Sequence, residues 1–340
     1  MSQSIMTTTF LITGGAGFIG SNFIQYVAKT YGKESVILNV DALTYAGNLE
    51  NLRSVASLSN YHFFNLDICE TQQLEAQIFS RFSVDYVVHF AAETHVDNSI
   101  LSGREFMRTN VLGTQSLLDC ARRYPVKRFV HVSTDEVYGQ LGETGYFTES
   151  TPLQPSSPYS ASKAGSDLVA LAYAHTYGMP VVVTRCSNNY GPYQFPEKLI
   201  PLMLLNAFHE LPLPVYGNGQ NVRDWIYVQD HCKGVDAVLK KGRVGEVYNL
   251  GGQSERRNLE VVKTILAQLN RPESLITFVK DRLGHDYRYA IDFSKAKTEL
   301  GWEPEMTFEA GIQLTVKWYV EHPEWWRPLW EKWTQKKDQK

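Results

Sequence analysis

Short runs of apolar, mostly β-branched residues alternate along the first half of the chain with longer stretches whose apolar residues recur at helical spacing. The short runs predict strands over Thr9–Thr13, Val36–Val40, Tyr61–Leu66, Tyr86–Phe90, Phe129–Ser133 and Val181–Cys186. Most are apolar at nearly every position, the pattern of parallel strands covered on both faces. Helices are expected between them over Ser21–Tyr31, Arg104–Tyr124 and Tyr159–Tyr177. Strand–helix alternation of this kind predicts an α/β chain with a Rossmann-type doubly wound parallel sheet.

The texture changes near Gly191. Pro192, Pro196, Pro201, Pro212 and Pro214 interrupt the pattern, and Gly217-Asn218-Gly219 reads as a turn. Val228–Leu239 and Leu259–Leu269 read as helices. The expected division is residues 1–190 as the Rossmann domain and residues 191–340 as mainly a smaller α/β lobe, with some chain crossing between them. Trp318, Trp325, Trp326, Trp330 and Trp333 are expected to pack a terminal helix onto the body.

Bulk properties narrow the partners. A net charge of −3 over 340 residues gives no reason to expect nucleic acid or an anionic membrane. No apolar run approaches the ~18 residues of a spanning helix. Met1–Phe10 lacks a signal-peptide core, so a cytoplasmic location is expected. Cys69, Cys120, Cys186 and Cys232 are far apart and are expected to be reduced, and no histidine spacing suggests a metal.

Three motifs carry chemistry. Gly14-Gly15-Ala16-Gly17-Phe18-Ile19-Gly20 lies between a strand and a helix. Glycines there allow a tight turn and close approach of backbone to a pyrophosphate, which the helix N-terminus stabilises. Asp41 ends the next strand, where a carboxylate accepts from ribose hydroxyls and repels a 2′-phosphate, so NAD is expected over NADP. Asp67, after the third strand, is placed to reach the adenine.

Tyr159 and Lys163 are one helical turn apart and share a face. A tyrosine with an ordinary pKa near ~10 is a poor base at neutral pH. A neighbouring ammonium and a nicotinium charge both favour its phenolate, which then takes a proton from an alcohol as hydride leaves. The loop Pro155-Ser156-Ser157-Pro158 precedes the pair. Thr134, Asp135 and Glu136 follow the fifth strand, at the carboxyl end where ligands bind in this fold. Thr134 is placed to bond the same alcohol. Two nearby carboxyls with separated pKa values supply one acid and one base. Strand alternation points adjacent side chains apart, so their convergence requires the chain to turn at Asp135. A plain dehydrogenase does not need that pair, and a non-catalytic NAD-binding regulator needs none of Tyr159, Lys163, Asp135 and Glu136.

With these residues the chain resembles the extended short-chain dehydrogenase/reductase family, and within it the dTDP-glucose 4,6-dehydratases. The resemblance covers about Thr9 to Trp302. It rests on Thr13–Ser21, 40–48, 91–97, Ser133–Gly139, Cys186–Pro201, Asn221–Trp225 and Asp281–Asp292. It implies that Tyr159 deprotonates the glucose 4-hydroxyl, Glu136 removes the carbon 5 proton and Asp135 protonates the departing 6-hydroxyl, with NAD recycled in place. It implies NAD contacts from Gly14, Gly17, Phe18, Ile19, Gly20, Asp41, Thr44, Asp67, Ile68, Ala91, Ala92, Thr94, Thr109, Tyr159, Lys163 and Asn189. For the nucleotide sugar it implies Thr94, His95, Thr134, Asn188, Lys198, Leu199, Pro214, Tyr216, Arg223, Asn258, Arg282 and His285. It further implies a homodimer through helices Arg104–Tyr124 and Tyr159–Tyr177. Thr94 stands where Ser is usual, and Asn98 replaces a common Arg. The alternatives on this scaffold are a UDP-glucose 4,6-dehydratase or another sugar-nucleotide epimerase or dehydratase.

Overall fold

A computed structural model describes residues 7–338. Strands β1 (Thr8–Thr13), β2 (Ser35–Asp41), β3 (Tyr61–Asn65), β4 (Tyr86–His89), β5 (Arg128–Thr134) and β6 (Val181–Cys186) form a parallel sheet in the order 3-2-1-4-5-6. Each expected strand is present to within one or two residues. Leu11, Ile12, Val87, Val88, Val130 and Val182 are fully buried, which is why these runs do not alternate. Helix α1 (Phe18–Tyr31) follows β1, α2 (Thr114–Arg123) precedes β5 and α3 (Pro158–Tyr177) precedes β6.

A seventh strand, Val247–Leu250, pairs parallel with β6 and comes from beyond residue 190. Its four residues are too few to show a period, and the sequence reading has no strand there. The chain therefore crosses back onto the first sheet before the C-terminal lobe is complete. Helix Val228–Lys241 returns with it and meets α1, where Tyr26 Oη donates to Asp236 Oδ2 at 2.9 Å.

The second lobe is built on two small sheets. Val222–Tyr227 lies between Asn188–Tyr190 (parallel) and Glu255–Arg257 (antiparallel), and Leu213–Tyr216 pairs with Ile276–Val279. Leu204, Val262, Ile312 and Tyr319 form its core with the tryptophans of the last helix, Pro323–Asp338. Trp325, Trp326 and Trp330 are buried, and Trp325 Nε1 donates to Asn51 Oδ1 across the lobes at 2.7 Å. The terminal helix packs onto the body as its tryptophan content predicts. It also brings Leu329, Lys332 and Trp333 to the wall of the interlobe cavity.

Candidate active site

The glycine turn meets the chain just after β4. Gly14 has φ +70°, and a Cβ there would lie 2.5 Å from the Ala91 nitrogen. At Gly20 a Cβ would lie 2.2 Å from the Gly14 oxygen. These glycines are thus required by the protein's own backbone as well as by close approach of a ligand. Among the described residues no side chain caps α1, so its first-turn amides, at Phe18 and Ile19, present an uncompensated N-terminus to an anion. Asp41, at the end of β2, accepts from the Ala16 and Leu43 amides at 2.9 and 2.8 Å. Asp67 accepts from the Cys69 amide and pairs with Arg108 at 2.8 Å, so its carboxylate is held in place from both sides. Amide donors for a pyrophosphate, with a fixed carboxylate at the neighbouring strand end, fit a dinucleotide.

Other residues expected at the cofactor surround this line. Ala91 and Ala92 follow β4, with the Ala91 amide 3.4 Å from Thr13 Oγ1. Ile68 is buried against Gly113. Thr109 sits in a wide helical turn, Met107–Gly113. In the same turn Asn110 bonds the Glu93 backbone and donates to Ser162 Oγ at 2.8 Å. That bond ties the turn to α3. Asn189 accepts a contact from His231 Nδ1 at 2.9 Å and donates toward Cys186.

The acid pair turns as the chemistry requires. β5 stops at Thr134, and a single 3₁₀ turn covers Asp135–Tyr138. Thr134 caps it, its hydroxyl accepting from the Glu136 amide at 3.3 Å. Gly139 releases the turn at φ +86°, where a Cβ would lie 2.4 Å from the Gln154 oxygen. Asp135 is 1% exposed. Burial, then the Glu136 and Asp224 charges, push its carboxyl well above the usual range, which favours the protonated form. Its Oδ1 accepts from the Thr134 hydroxyl at 3.3 Å. Burial also raises Glu136, but Arg223 and Lys198 oppose the rise. Adjacent carboxyls are therefore driven apart, the first toward acid and the second toward base.

Helix α3 starts where the loop directs it. Ser157 and Ser160 form a reciprocal cap, with Pro158 at the first position. Tyr159 and Lys163 then face β5, 8% and 4% exposed. Lys163 Nζ donates to the Val132 oxygen at 2.8 Å. Burial, followed by the Glu136, Cys186 and Asp135 charges, holds Tyr159 well above its ordinary range. Burial is the largest of these influences and favours the protonated phenol.

Between the lobes lies a cavity of about 1290 Å³. Eleven of the twelve residues expected to hold a nucleotide sugar line it: Thr94, His95, Asn188, Lys198, Leu199, Pro214, Tyr216, Arg223, Asn258, Arg282 and His285. Thr134 is not among the lining residues, but Glu136, two residues on, is. Thr44 is there too. Arg223 is 8% exposed, donates to the Val222 and Asp286 carbonyls and stacks on Tyr289 at 4.2 Å. Arg282 grips Asp97 with two contacts, at 2.8 and 3.1 Å, joining the lobes over the cavity. His285 is turned onto Asp281 at 2.6 Å.

Tyr45 and Glu197 also line the cavity, and the sequence reading named neither. Tyr45 Oη donates to Glu197 Oε1 at 3.0 Å, and His95 Nε2 lies 3.2 Å from Glu197 Oε2. Both positions fall within the motifs quoted above, but a carboxylate beside Lys198 is not distinguishable in sequence from a solvated one.

Comparison with known proteins bears directly on this arrangement. A family model described as GDP-mannose 4,6 dehydratase matches residues 11–315. The chain is 52% identical to a probable dTDP-glucose 4,6-dehydratase of Sinorhizobium fredii over 95% of each chain. It belongs to the dTDP-glucose 4,6-dehydratases. A dTDP-glucose 4,6-dehydratase of Escherichia coli is 49% identical, covering 93% of this chain and 95% of that one. The crystal structure of the dehydratase of Bacillus anthracis in complex with NAD superposes with a TM-score of 0.89 at 52% identity, over 95% of this chain and all of that one. A UDP-glucose 4-epimerase of Thermotoga maritima has a TM-score of 0.86 at 29% identity, covering 92% of this chain and 99% of that one, so the scaffold extends beyond the dehydratases. Members of the dehydratase family share the Rossmann-type sheet described above.

Proposed function

We propose that this chain converts dTDP-glucose to dTDP-4-dehydro-6-deoxyglucose and water, using NAD, as a step in deoxysugar biosynthesis. The turn that places Asp135 and Glu136 beside Tyr159 carries this reading, because only a dehydration needs all three. Gly14, Gly17, Gly20 and the first turn of α1 hold the dinucleotide pyrophosphate, and Asp41 its ribose. Bound NAD accepts the hydride from carbon 4 and returns it to carbon 6.

The remaining steps belong to the chain. Thr134 and Tyr159 bond the glucose 4-hydroxyl, and Tyr159 takes its proton as the ketone forms. That ketone acidifies carbon 5, whose proton passes to Glu136. Asp135 gives its proton to the 6-hydroxyl, which leaves as water. Glu136 then returns a proton to carbon 5. Tyr159 gives up the proton it took and Asp135 regains one, so the cycle closes with no second redox substrate. Arg223 and Lys198 offset the diphosphate charge, and Tyr216 stacks on the base.

Incubation with dTDP-glucose and with UDP-glucose, followed by alkali, tests this. A 4-keto sugar absorbs after alkali treatment, and the signal is expected with dTDP-glucose. A signal with UDP-glucose alone would transfer the activity to the other nucleotide. Cofactor choice follows from Asp41: NAD added to apo-protein restores turnover and NADP does not. Equal restoration by both would remove Asp41 from the ribose site. Arg223→Lys keeps the charge and loses the guanidinium fork. We expect dTDP affinity, measured by calorimetry, to fall roughly 10–150-fold, equivalent to ~1.5–3 kcal/mol, with NAD affinity unchanged.

We assign residues 1–190 to the cofactor domain and 191–340 mainly to the substrate lobe, with Val228–Lys241 and Val247–Leu250 crossing back. The partner is a second copy of the chain. Met107, Leu112 and Leu168 are 44%, 56% and 59% exposed on neighbouring helical segments, an apolar face that a four-helix contact covers. Sedimentation is expected to give a dimer. Among the described residues no helix is long and apolar enough to cross a membrane, and the four cysteines are free, which supports a cytoplasmic setting.

A further inference from the structure

Ala16 lies in the middle of the glycine turn, between Gly15 and Gly17, and is fully buried. Both of its backbone groups are held. Its amide donates to Asp41 Oδ2 at 2.9 Å, which ties the turn to the carboxylate at the end of β2. Its carbonyl accepts from the Asn48 amide at 3.0 Å and from Asn51 Nδ2 at 2.9 Å. Asn51 sits in a short 3₁₀ turn, Leu49–Leu52. The chain leading into that turn passes close to Asp41, since a Cβ at Gly47 would lie 2.9 Å from Asp41 Oδ1. The Asn48 amide already gives the Ala16 oxygen a donor, so the Asn51 side chain does more than satisfy that oxygen.

The other end of that side chain reaches the second lobe. Asn51 is buried, and its Oδ1 accepts from Trp325 Nε1 at 2.7 Å. An indole N–H only donates and a backbone oxygen only accepts, so these two partners fix which way the amide faces. Neither a carboxylate nor an apolar side chain makes both bonds. Trp325 is itself held, its ring packed edge-on against Tyr193, Trp318 and Tyr319. A continuous path of short hydrogen bonds thus runs from Asp41 through Ala16 and Asn51 to the last helix, Pro323–Asp338. Leu329 and Trp333 follow Trp325 at four-residue steps on the same helix face. Both line the interlobe cavity, as Gly47 and Asn48 do. One face of the last helix therefore meets both the loop around Asp41 and the cavity.

We propose that Asn51 and Trp325 are positioning residues for NAD, through which the last helix of the second lobe keeps the glycine turn aligned with Asp41 and slows release of the cofactor. This rests on the reading above, in which the turn and Asp41 hold the pyrophosphate and ribose. A cofactor that takes and returns the same hydride has no need to leave between turnovers, so a tie from its turn to the far lobe does not slow the reaction. Without the Trp325 donor, the Asn51 amide is free to rotate away from Ala16, and the turn loses the second of its two restraints at that oxygen.

Two neighbouring tryptophans separate this role from core packing. Trp325→Phe removes the donor to Asn51 and keeps a ring. Trp326→Phe removes a similarly buried donor whose partner, the Tyr319 oxygen at 2.8 Å, lies within the second lobe. Asn51→Leu removes both amide bonds at similar volume. Calorimetry on the full-length apo-protein gives NAD affinity, rapid-mixing displacement gives the release rate, and thermal unfolding reports the fold. Trp325→Phe is expected to weaken NAD binding roughly 3–10-fold, the scale of one lost neutral hydrogen bond, with release faster by a similar factor. Asn51→Leu weakens it at least as much. Trp326→Phe lowers the unfolding midpoint but keeps the parent's NAD affinity and release rate. Affinity for dTDP is unchanged in all three.

Parent NAD affinity and release rate in folded Trp325→Phe, or an equal loss in Trp326→Phe, would overturn the proposal and return both residues to the core. Parent NAD affinity in Asp41→Ala would instead overturn the placing of the ribose at Asp41. The two failures are therefore distinguishable.

Discussion

Asp135→Asn is expected to oxidise its substrate and then stall. Oxidation at carbon 4 draws on Tyr159, Lys163 and the cofactor, all of which the substitution leaves present. Elimination expels hydroxide, a poor leaving group, and needs the proton that buried Asp135 holds. General acid assistance is worth roughly 10²–10⁴-fold, so product formation falls by that factor. The near-ultraviolet absorbance of reduced nicotinamide should build up on mixing with dTDP-glucose and decay slowly. Rapid mixing with absorbance detection checks this, and elimination at the parent rate would remove Asp135 from the acid role.

The same substitution is expected to raise Tm. A carboxyl whose folded pKa is raised binds its proton more tightly in the folded protein than in the unfolded one. It therefore costs stability as pH rises above its unfolded value, and the cost persists at neutral pH. Asparagine has the same shape and carries no such cost. A gain of about 1–4 °C at neutral pH is the scale expected for relieving one buried group in a chain of this size. The gain should vanish in acid, where the carboxyl is protonated in both states. An increase in Tm that is the same in acid would mean that charge is not its cause.

Tyr159→Phe divides the reaction at the other point. It leaves ring packing against Phe106 in place, with centroids 6.4 Å apart, and removes the hydroxyl. No group then takes the 4-hydroxyl proton, so hydride transfer falls by roughly 10²–10⁴-fold and the nicotinamide absorbance does not accumulate. The pH dependence has a definite sign. Tyr159 begins as a phenol held well above its ordinary range, so kcat/KM rises with pH through the neutral region in the parent. The variant should lack that rise. A variant that still oxidised carbon 4 at the parent rate would move the base elsewhere.

Label experiments join the two. Deuterium at carbon 4 should reach carbon 6 of the product, because the hydride never meets solvent. In deuterated water the new label should enter at carbon 5.

The strands were legible in sequence because their burial on both faces leaves continuous apolar runs. Leu11, Val88 and Val182 are fully buried for that reason. The glycine turn, Asp41 and the Tyr159–Lys163 spacing are local features, set by backbone sterics and helical period. Family motifs added the cavity residues, whose sequence positions run from Thr94 to His285. Their meeting was beyond local pattern, because residues so far apart converge only when the second lobe closes over the sheet ends.

Tertiary structure alone decided three matters. It supplied the turn at Asp135, since a threonine cap and Gly139 must both be in place before adjacent carboxyls face one site. It separated those carboxyls, because burial raises Asp135 while Arg223 and Lys198, distant in sequence, restrain Glu136. It drew Val247–Leu250 into the first sheet, where pairing with β6 fixes a segment too short to show a period.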